Sequence, residues 1–515
     1  MSIAVRARMD SLPTVASGRP AELWLSPAQL SYLRGLLVAL FTTRLIGMVI
    51  VPFTDTTEAR YAEIARKMLE TGDWITPQFA YGVPFWGKPP LHTWLSAAGM
   101  GAFGVNEFAA RLPIFLLACG LLALIYFWAR AEKGNGFALV GTTVLASSAL
   151  FFMASAVVMT DMPLVAGTTL SMVGFWNAVQ RRSRHRVWGY LFFAGIAVGL
   201  LAKGPIAIAL TGLPIGLWVI LGKRRRETLR RLPWMTGLFL TFAVAAPWYI
   251  AAEIKTPGFL DYFLIGEHFQ RFLVPGWTGD LYGSGHAKPR GTIWLFGILA
   301  FLPWSLFFLR PLFRIRTVVA RFQADPSHWG SYLLVWALSP LIFFTAAGNI
   351  IVPYVLPALP AAALLLVQCW RDSELPKPVV SQRLAHGFKA VSGSLIAITA
   401  IAGIALAFSP ELVSAKSQKQ LVLAATRFAP PDVGDLTYWQ DRFYSAEFYT
   451  AGKSKRIKTA AGLAPLLSDN RRDFFAVRID AQADIPKKYL RHFTPVGDFG
   501  RVRLFLENPL KGTSQ

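Results

Sequence analysis

Residues 110–129, ARLPIFLLACGLLALIYFWA, are followed by the polar hexapeptide RAEKGN at 130–135 and then by GFALVGTTVLASSALFFMASAV at 136–157. Each apolar run has about the 20 residues that an α-helix needs to cross a hydrocarbon core roughly 30 Å thick. The hexapeptide is long enough only to turn the chain. No water reaches the bilayer core, so every backbone N–H and C=O there must be bonded within its own segment, and the runs are helices rather than sheet. Eleven runs fit this reading: 33–51, 110–129, 136–157, 162–179, 188–202, 205–221, 233–251, 292–309, 332–347, 350–369 and 390–408. They predict an all-α polytopic membrane domain.

Composition agrees. Of 515 residues, 54% are apolar and 16% charged, with a mean hydropathy of +0.43; disorder and an ordinary soluble domain are both excluded. The formal net charge of +23 would suggest nucleic acid if it were spread over a polar chain. Instead the cations cluster between apolar runs, as in RRSRHR (181–186) and KRRRETLRR (223–231). With the N-terminus inside, the inner segments carry 24 Lys and Arg and the outer loops before the C-terminal tail carry 9, the bias expected of membrane topology. The charge therefore faces anionic membrane lipids rather than nucleic acid. An odd number of spans puts the C-terminus outside. The first run is too long for a cleavable signal and is expected to remain as a helix. Cys119 and Cys369 both fall in apolar runs and read as inert thiols.

Three regions follow: a cytoplasmic segment 1–32, a membrane domain 33–409, and an outer α/β domain 410–515, where strand-like segments such as FFAVRID and RVRLFLEN alternate with turns. Two outer loops are long, 52–107 and 252–291. The first holds TTEARYAEIARKMLETG, which predicts an amphipathic helix at the membrane surface. It also holds PPLHTWLSAAGMGAFG, short and aromatic, expected to lie along the interface. The second, with GEHFQRF and the Gly-rich GDLYGSGH, is expected to be irregular.

Ionisable residues beside membrane spans are the informative ones. Asp55, Glu58, Arg60, Lys88, Asp161, Lys203, His268, Arg271 and Tyr354 all fall on the outer face, which predicts one wet site at that interface. Each has a plainer reading. Asp55 and Glu58 sit where carboxylates cap a helix, Lys88 precedes two prolines in an extended segment, Lys203 is placed to snorkel, Asp161 to cap the fourth span, and His268 is a loop histidine.

Taken together, TTEARYAEIARKML, FWGKPPLHTW, VVMTDMPL, LLAKGP, GEHFQRF and IVPYVLPALP, in that order and separated by spans, resemble the bacterial GT-C glycosyltransferases. The similarity is to the aminoarabinose transferases that modify lipid A (family 83 type) and to the related protein O-mannosyltransferase-like enzymes. It covers roughly residues 33–370, and the last hundred residues match loosely through YSAEFYTAGKS. The resemblance implies transfer of a sugar from a polyprenyl-phosphate donor, commonly undecaprenyl phosphate, on the periplasmic face of the bacterial inner membrane. The acceptor would be a lipid A-type glycolipid or a protein hydroxyl.

The family's first outer loop carries an Asp-Glu pair just before Ala/Thr-Arg-Tyr. Here Asp55 and Glu58 are separated by Thr56 and Thr57; Asp55 is expected to be the base, with Glu58 its rival. Gly87 stands where the aminoarabinose transferases often have Glu before Lys-Pro-Pro, which removes a potential ligand from the divalent metal that is the one cofactor left open. Apolar residues replace the Lys commonly seen before Pro-Tyr. Attack of a hydroxyl on an anomeric carbon, with a lipid phosphate leaving, needs a carboxylate for the proton and cations for the phosphate. Lys88, Lys203 and Arg271 are expected to bind phosphate, with Arg60, Tyr61, His268 and Tyr354 as further substrate contacts and Asp161 as support.

No nucleotide-binding fingerprint occurs. A transporter or flippase would place charges and broken helices near the midplane, whereas the runs are nearly free of ionisable residues away from their ends, Arg44 being the main exception. A scaffold without catalysis leaves the clustered charges unexplained.

Overall fold

The computed structural model describes residues 25–180, 184–222, 229–283, 285–374, 393, 416–427, 433–468 and 471–508. Its first helix, α1 (Pro27–Ile50), begins in a capping box: Gln29 N–H donates to Ser26 Oγ at 3.3 Å and Ser26 N–H to Gln29 Oε1 at 2.8 Å. Two orphan donors are thereby satisfied where the chain turns into the span. Next come α2 (Thr57–Thr71), a short hairpin of β1 (Gln78–Ala80) and β2 (Val83–Pro84), α3 (Leu91–Phe103), and α4 (Glu107–Lys133). Then follow α5 (Asn135–Ala146), α6 (Ala149–Ala154), α7 (Asp161–Gln180), α8 (His185–Lys203), α9 (Ile206–Leu221) and α10 (Trp234–Lys255).

Among the described residues five helices are long and apolar enough to cross a bilayer: α1, α4, α8, α10 and the unit Val352–Asp372. The chain is a multi-pass membrane protein. Other expected spans are broken or short. Residues 136–157 divide between α5 and α6, because Ser147 and Ser148 turn their hydroxyls back onto carbonyls of the preceding turn while the Ala149 N–H crosses to Leu302 O at 2.9 Å. Residues 292–309 bend sharply between Thr292–Ala300 and Trp304–Phe313, at Pro303, which has no N–H to continue the ladder. Apart from residue 393, the expected span 390–408 lies outside the described residues.

Helices α7 and α8 pack backbone to backbone. A Cβ built on Gly167 would meet Gly195 O and Gly199 N at 2.7 Å each; small residues at this crossing permit the approach. The consequence for the site is positional, since α7 begins at Asp161 and α8 ends at Lys203.

Two expectations for the outer loops are corrected. The amphipathic α2 does not lie open at the membrane surface: Glu63, Arg66 and Lys67 on its polar face are buried. They are covered by the β1–β2 hairpin, where Arg66 donates to Tyr81 Oη at 2.9 Å and Lys67 to Phe79 O at 3.2 Å, and by the C-terminal part, through Lys67–Glu447 at 3.1 Å. Loop 252–291 is largely helical at its start, with α11 (Asp261–Gln270) wound as a π-helix and running on through Leu273. Among the described residues, irregular chain is found at the turn 256–258 and over 274–283 and 285–291, ahead of α12 (Thr292–Ala300).

After α12 come α13 (Leu309–Phe313), α14 (Ile315–Ala324) and α15 (Trp329–Thr345), and a 3-10 turn (Val352–Ala358) that leads into α16 (Leu359–Glu374). Both cysteines are free, Cys369 buried and Cys119 partly so.

The C-terminal part holds α17 (Lys419–Arg427), β3 (Val433–Trp439), α18 (Tyr444–Tyr449), β4 (Lys455–Ile457), β5 (Arg472–Arg478), β6 (Phe493–Phe499) and β7 (Val502–Glu507). The five-stranded sheet runs β4-β3-β5-β7-β6, parallel at β4–β3–β5 and antiparallel beyond. Phe474 and Ala476 face a cluster with α17 and α18, while Phe475 and Val477 face a second with Leu463, Leu466 and Ile485. Both faces are covered, which is why FFAV is apolar throughout rather than alternating.

Candidate active site

The ends of α7 and α8, loop 52–56, the segment before α3, α11 with the chain after it, and Tyr354 converge on one cavity. Its wider part, about 400 Å³, is lined by Thr56, Thr57, Arg60, Tyr61, Lys88, Asp280, Tyr282, His286 and Tyr444 among others. A narrower arm of about 70 Å³ is walled by Leu164, Ile206, Leu210, Phe272 and Phe344. The two share Lys88, Asp161, Lys203, Glu267, Arg271 and Tyr354.

Glu267 is the electrostatic centre. Lys88 Nζ lies 2.6 Å from its Oε2, and Arg271 Nη1 lies 3.0 Å from its Oε1 and 3.0 Å from Asp280 Oδ2. Burial on its own raises the Glu267 carboxyl, but Lys88 and Arg271 outweigh it and hold the group at about 2. Lys203 Nζ is 2.6 Å from Asp161 Oδ1 and 4.7 Å from the centre of the Tyr354 ring. Arg60 donates to Tyr282 O at 2.6 Å and lies over the rings of Tyr61 and Tyr444. The lining thus carries the cations Arg60, Lys88, Lys203 and Arg271 against the carboxylates Asp161, Glu267 and Asp280. An anion entering here gains more from the cations than it loses to the carboxylates, because the guanidinium and ammonium groups are forward in the cavity and partly exposed.

His268 is committed to the backbone. Its Nδ1 lies 2.8 Å from Phe263 O and its Nε2 3.2 Å from Lys203 O, so the ring ties α11 to the end of α8. Gly204, at φ +81°, makes room: a Cβ there would come within 2.6 Å of the Phe263 ring and 3.1 Å of His268 Cε1.

The two candidate bases lie behind the wall. Glu58 is clasped by Arg111, Nε to Oε1 at 2.8 Å and Nη2 to Oε2 at 2.7 Å, and accepts the Val158 N–H at 3.3 Å. This arrangement fastens the start of α2 to α4. Asp55 accepts the Ser445 N–H at 3.0 Å and the Ser445 hydroxyl. Neither lines the cavity, although Thr56 and Thr57 do. Among the described residues no cation pairs with Asp55, and burial raises its carboxyl to about 6 against the opposing hydrogen bonds from Ser445.

Residues that the sequence reading passed over include Glu267, Asp280, Tyr282, His286 and Tyr444. Glu267 and Arg271 are spaced i,i+4, a pairing that sequence can show on a helix; Asp280 and Tyr444 carry no local signal. For a metal the donor set does not fit. No group of three or more His, Cys, Asp or Glu among the described residues is placed to hold one. At Gly87 a Cβ would already meet the Phe85 ring at 3.0 Å.

Residues 50–263 match the family model for dolichyl-phosphate-mannose-protein mannosyltransferase. Over 391 residues the chain is 30% identical to the undecaprenyl phosphate-alpha-4-amino-4-deoxy-L-arabinose arabinosyl transferase of Aeromonas salmonicida, covering 73% of this chain and 67% of that protein. The Pseudomonas fluorescens protein of the same name (its transferase 1) is 31% identical over 61% of this chain and 54% of its own length. The chain thus spans roughly half to two thirds of the length of such relatives. Its fold is that of ArnT from Cupriavidus metallidurans bound to undecaprenyl phosphate, with a TM-score of 0.73 at 17% identity over 93% of this chain and 99% of that one. The archaeal oligosaccharyltransferase AglB from Archaeoglobus fulgidus, in complex with an inhibitory peptide and a dolichol-phosphate, is a more distant neighbour at TM-score 0.53 and 11% identity, over 95% of this chain and 75% of that one. On the strength of the Aeromonas salmonicida match, this chain belongs to the family of undecaprenyl phosphate-alpha-4-amino-4-deoxy-L-arabinose arabinosyl transferases.

Proposed function

We propose that the chain is a membrane glycosyltransferase that moves a sugar from an undecaprenyl-phosphate donor to a lipid A-type glycolipid. The observation that carries this is the pair Lys88 and Arg271, the first brought from the other outer loop and the second one turn along the same helix, both on Glu267 at the mouth of an apolar arm. A polyprenyl phosphate has the matching anatomy, an isoprenoid tail for the arm and an anionic head for the two cations. As the bond from the anomeric carbon to the phosphate oxygen breaks, charge builds on that phosphate. Lys88 as a point charge and Arg271 as a fork stabilise it, with Lys203 and Arg60 on either flank. Tyr61 and Tyr354 contact the sugar or the phosphate, His268 holds the frame, and Asp161 fixes Lys203.

We assign the acceptor proton to Asp55. Glu58, Asp161 and Glu267 are each bound to a cation, which weakens them as bases. Asp55 is uncompensated and held near 6, in the range where a base is both ionised and effective. Its carboxylate faces Ser445 one residue behind the wall, and acceptor entry past Thr56 would bring it into play.

The reading places the cavity on the periplasmic face of the inner membrane, with about eleven crossings, a cytoplasmic segment 1–32, the membrane domain 33–409 and a periplasmic domain 410–515. The match to a protein mannosyltransferase model favours a second reading, a protein hydroxyl as acceptor. Mass spectrometry of envelope lipids and envelope proteins, with and without the gene, separates them. Loss of a sugar increment from lipid A supports the first reading and loss from a protein supports the second. Unchanged lipids and proteins would refute both.

A further inference from the structure

Asp55 and Ser445 are 390 positions apart, and their contact joins the membrane domain to the C-terminal domain. Around it the interface is already well fastened. Lys67 and Arg442 hold Glu447, Lys419 holds Glu107, Tyr449 Oη donates to Glu107 and accepts the Phe53 N–H, and Lys416 O accepts the Asp55 N–H. A partly buried carboxylate with no cation beside it among the described residues, held there by hydrogen bonds from Ser445, is more than that fastening requires, and a group kept at a cost to stability is a candidate for function.

The hydrogen bonds also fix direction. Gln418 N–H donates to Ser445 Oγ at 3.0 Å, so the hydroxyl oxygen already accepts on that side and its single proton is free for Asp55. Ser445 therefore gives Asp55 two donors, hydroxyl and backbone N–H, both of which favour the anion. On the other side of each partner the chain reaches the cavity, through Thr56 and through Tyr444.

We propose that Ser445 is a positioning residue for the Asp55 base, so that the transferase site is complete only with the C-terminal domain docked. This rests on the assignment of the proton to Asp55. Charged and titratable groups on the elements around Asp55 are Glu447 and Tyr444 of α18, Tyr438 of β3, Lys419 of α17, the exposed Lys416 just before α17 whose backbone O accepts the Asp55 N–H, and the Glu58–Arg111 pair between α2 and α4. Glu447, Lys419 and Glu58 are each bound to another partner, which leaves the Ser445 hydroxyl as the first of the groups, with the Ser445 and Tyr444 backbone, that hold the carboxyl down against its burial.

The test reads the Asp55 carboxyl directly. Infrared difference spectra between the full-length wild type and its Asp55→Asn variant, followed from pH 4 to 9, give the titration midpoint without substrate. The wild type is expected near 6. Ser445→Ala, by removing one donor to the anion, moves the midpoint up by about one unit, and Ser445→Thr restores it. Transfer from undecaprenyl phosphate-linked 4-amino-4-deoxyarabinose to lipid A then shows its acid limb displaced by the same amount and a lower plateau at pH 8, and Ser445→Thr recovers both. Lys419→Ala weakens the same interface without touching Asp55 and leaves the midpoint in place. A midpoint unmoved in Ser445→Ala, or moved equally in Lys419→Ala, overturns the proposal. Should Ser445→Ala not accumulate, Ser445→Cys, a weaker donor of similar size, is read in its place. Full transfer by Asp55→Asn would instead overturn the assignment of the base, a separate failure.

Discussion

The Nζ of Lys88 lies 2.6 Å from Oε2 of Glu267, and the same carboxylate holds Arg271. The pairing fixes two cations side by side at the cavity. It keeps them from repelling each other and leaves their outer faces toward the cavity. A carboxylate buried to 3% of its side-chain surface beneath cations exposed by 19% and 18% is built to orient, since the charges that a ligand meets first are the positive ones.

Replacing Glu267 by Gln leaves two cations facing each other across a neutral amide. The expected loss of folding stability is about 3 kcal/mol, the lower end for a broken buried pair because both partners are partly exposed. Glu267 is held at about 2, below its unfolded value of about 4.3. Its stabilising contribution is therefore complete above the unfolded value and is lost only as pH falls through about 2. Thermal unfolding of wild type and variant should accordingly differ by a constant amount between pH 5 and 9. A gap that closes within that window would mean the carboxylate is not held by its cations.

On the proposed function, Lys88→Ala and Arg271→Ala each remove one cation from the leaving phosphate. Each should lower kcat/KM for the polyprenyl-phosphate donor by about a hundredfold, the scale of losing one donor to a developing oxyanion. Arg271→Lys should recover only part: Nη1 alone serves Glu267 and Asp280, and the remaining guanidinium N–H groups that would meet a phosphate have no counterpart on an ammonium. Steady-state kinetics over a range of donor concentrations checks this, and equal rates for wild type and Lys88→Ala would remove Lys88 from the site.

Glu58→Gln separates a structural from a catalytic carboxylate. With Arg111 almost fully buried, the variant should lose about 3 kcal/mol of stability. Activity per folded molecule should stay within about threefold of wild type. A hundredfold loss of rate at unchanged melting temperature would make Glu58, not Asp55, the base.

The membrane class was legible because bilayer thickness imposes a run length that needs no tertiary information. Clustering of Lys88, Lys203, Arg271 and Tyr354 was legible too, through the side of the membrane on which each short turn falls. What sequence did not carry was pairing. Topology brings Lys203 and Asp161 to one depth, but only the glycine-mediated approach of α7 and α8 sets them 2.6 Å apart. The amphipathic pattern of α2 gave its helical period correctly and its environment wrongly. A polar face reads the same whether water or Glu447 and Arg442 cover it, and the residues that cover it lie nearly 400 positions away. Asp55 shows the same limit, since its partner Ser445 belongs to the loosely matching segment YSAEFYTAGKS.

Asp55→Asn should abolish transfer and, at alkaline pH, make the protein more stable. Burial places the Asp55 carboxyl at about 6, above its unfolded value of about 3.9. A carboxyl raised in this way contributes stability that is fully present below the unfolded value and is lost as pH rises through about 6. Above that point the wild type carries a partly buried anion with no cation beside it among the described residues, which Asn does not. The gain is limited, because the Asn amide presents donors to a Ser445 hydroxyl that Gln418 already constrains to donate; about 1 to 2 kcal/mol at pH 8 is expected, falling to near zero at pH 5. Melting curves of the two proteins at pH 5 and pH 8 decide it. A loss of stability on going to Asn that grows from pH 5 to pH 8 would mean that the carboxylate is compensated by a cation after all, and with it would go the reason for choosing Asp55 over the paired carboxylates.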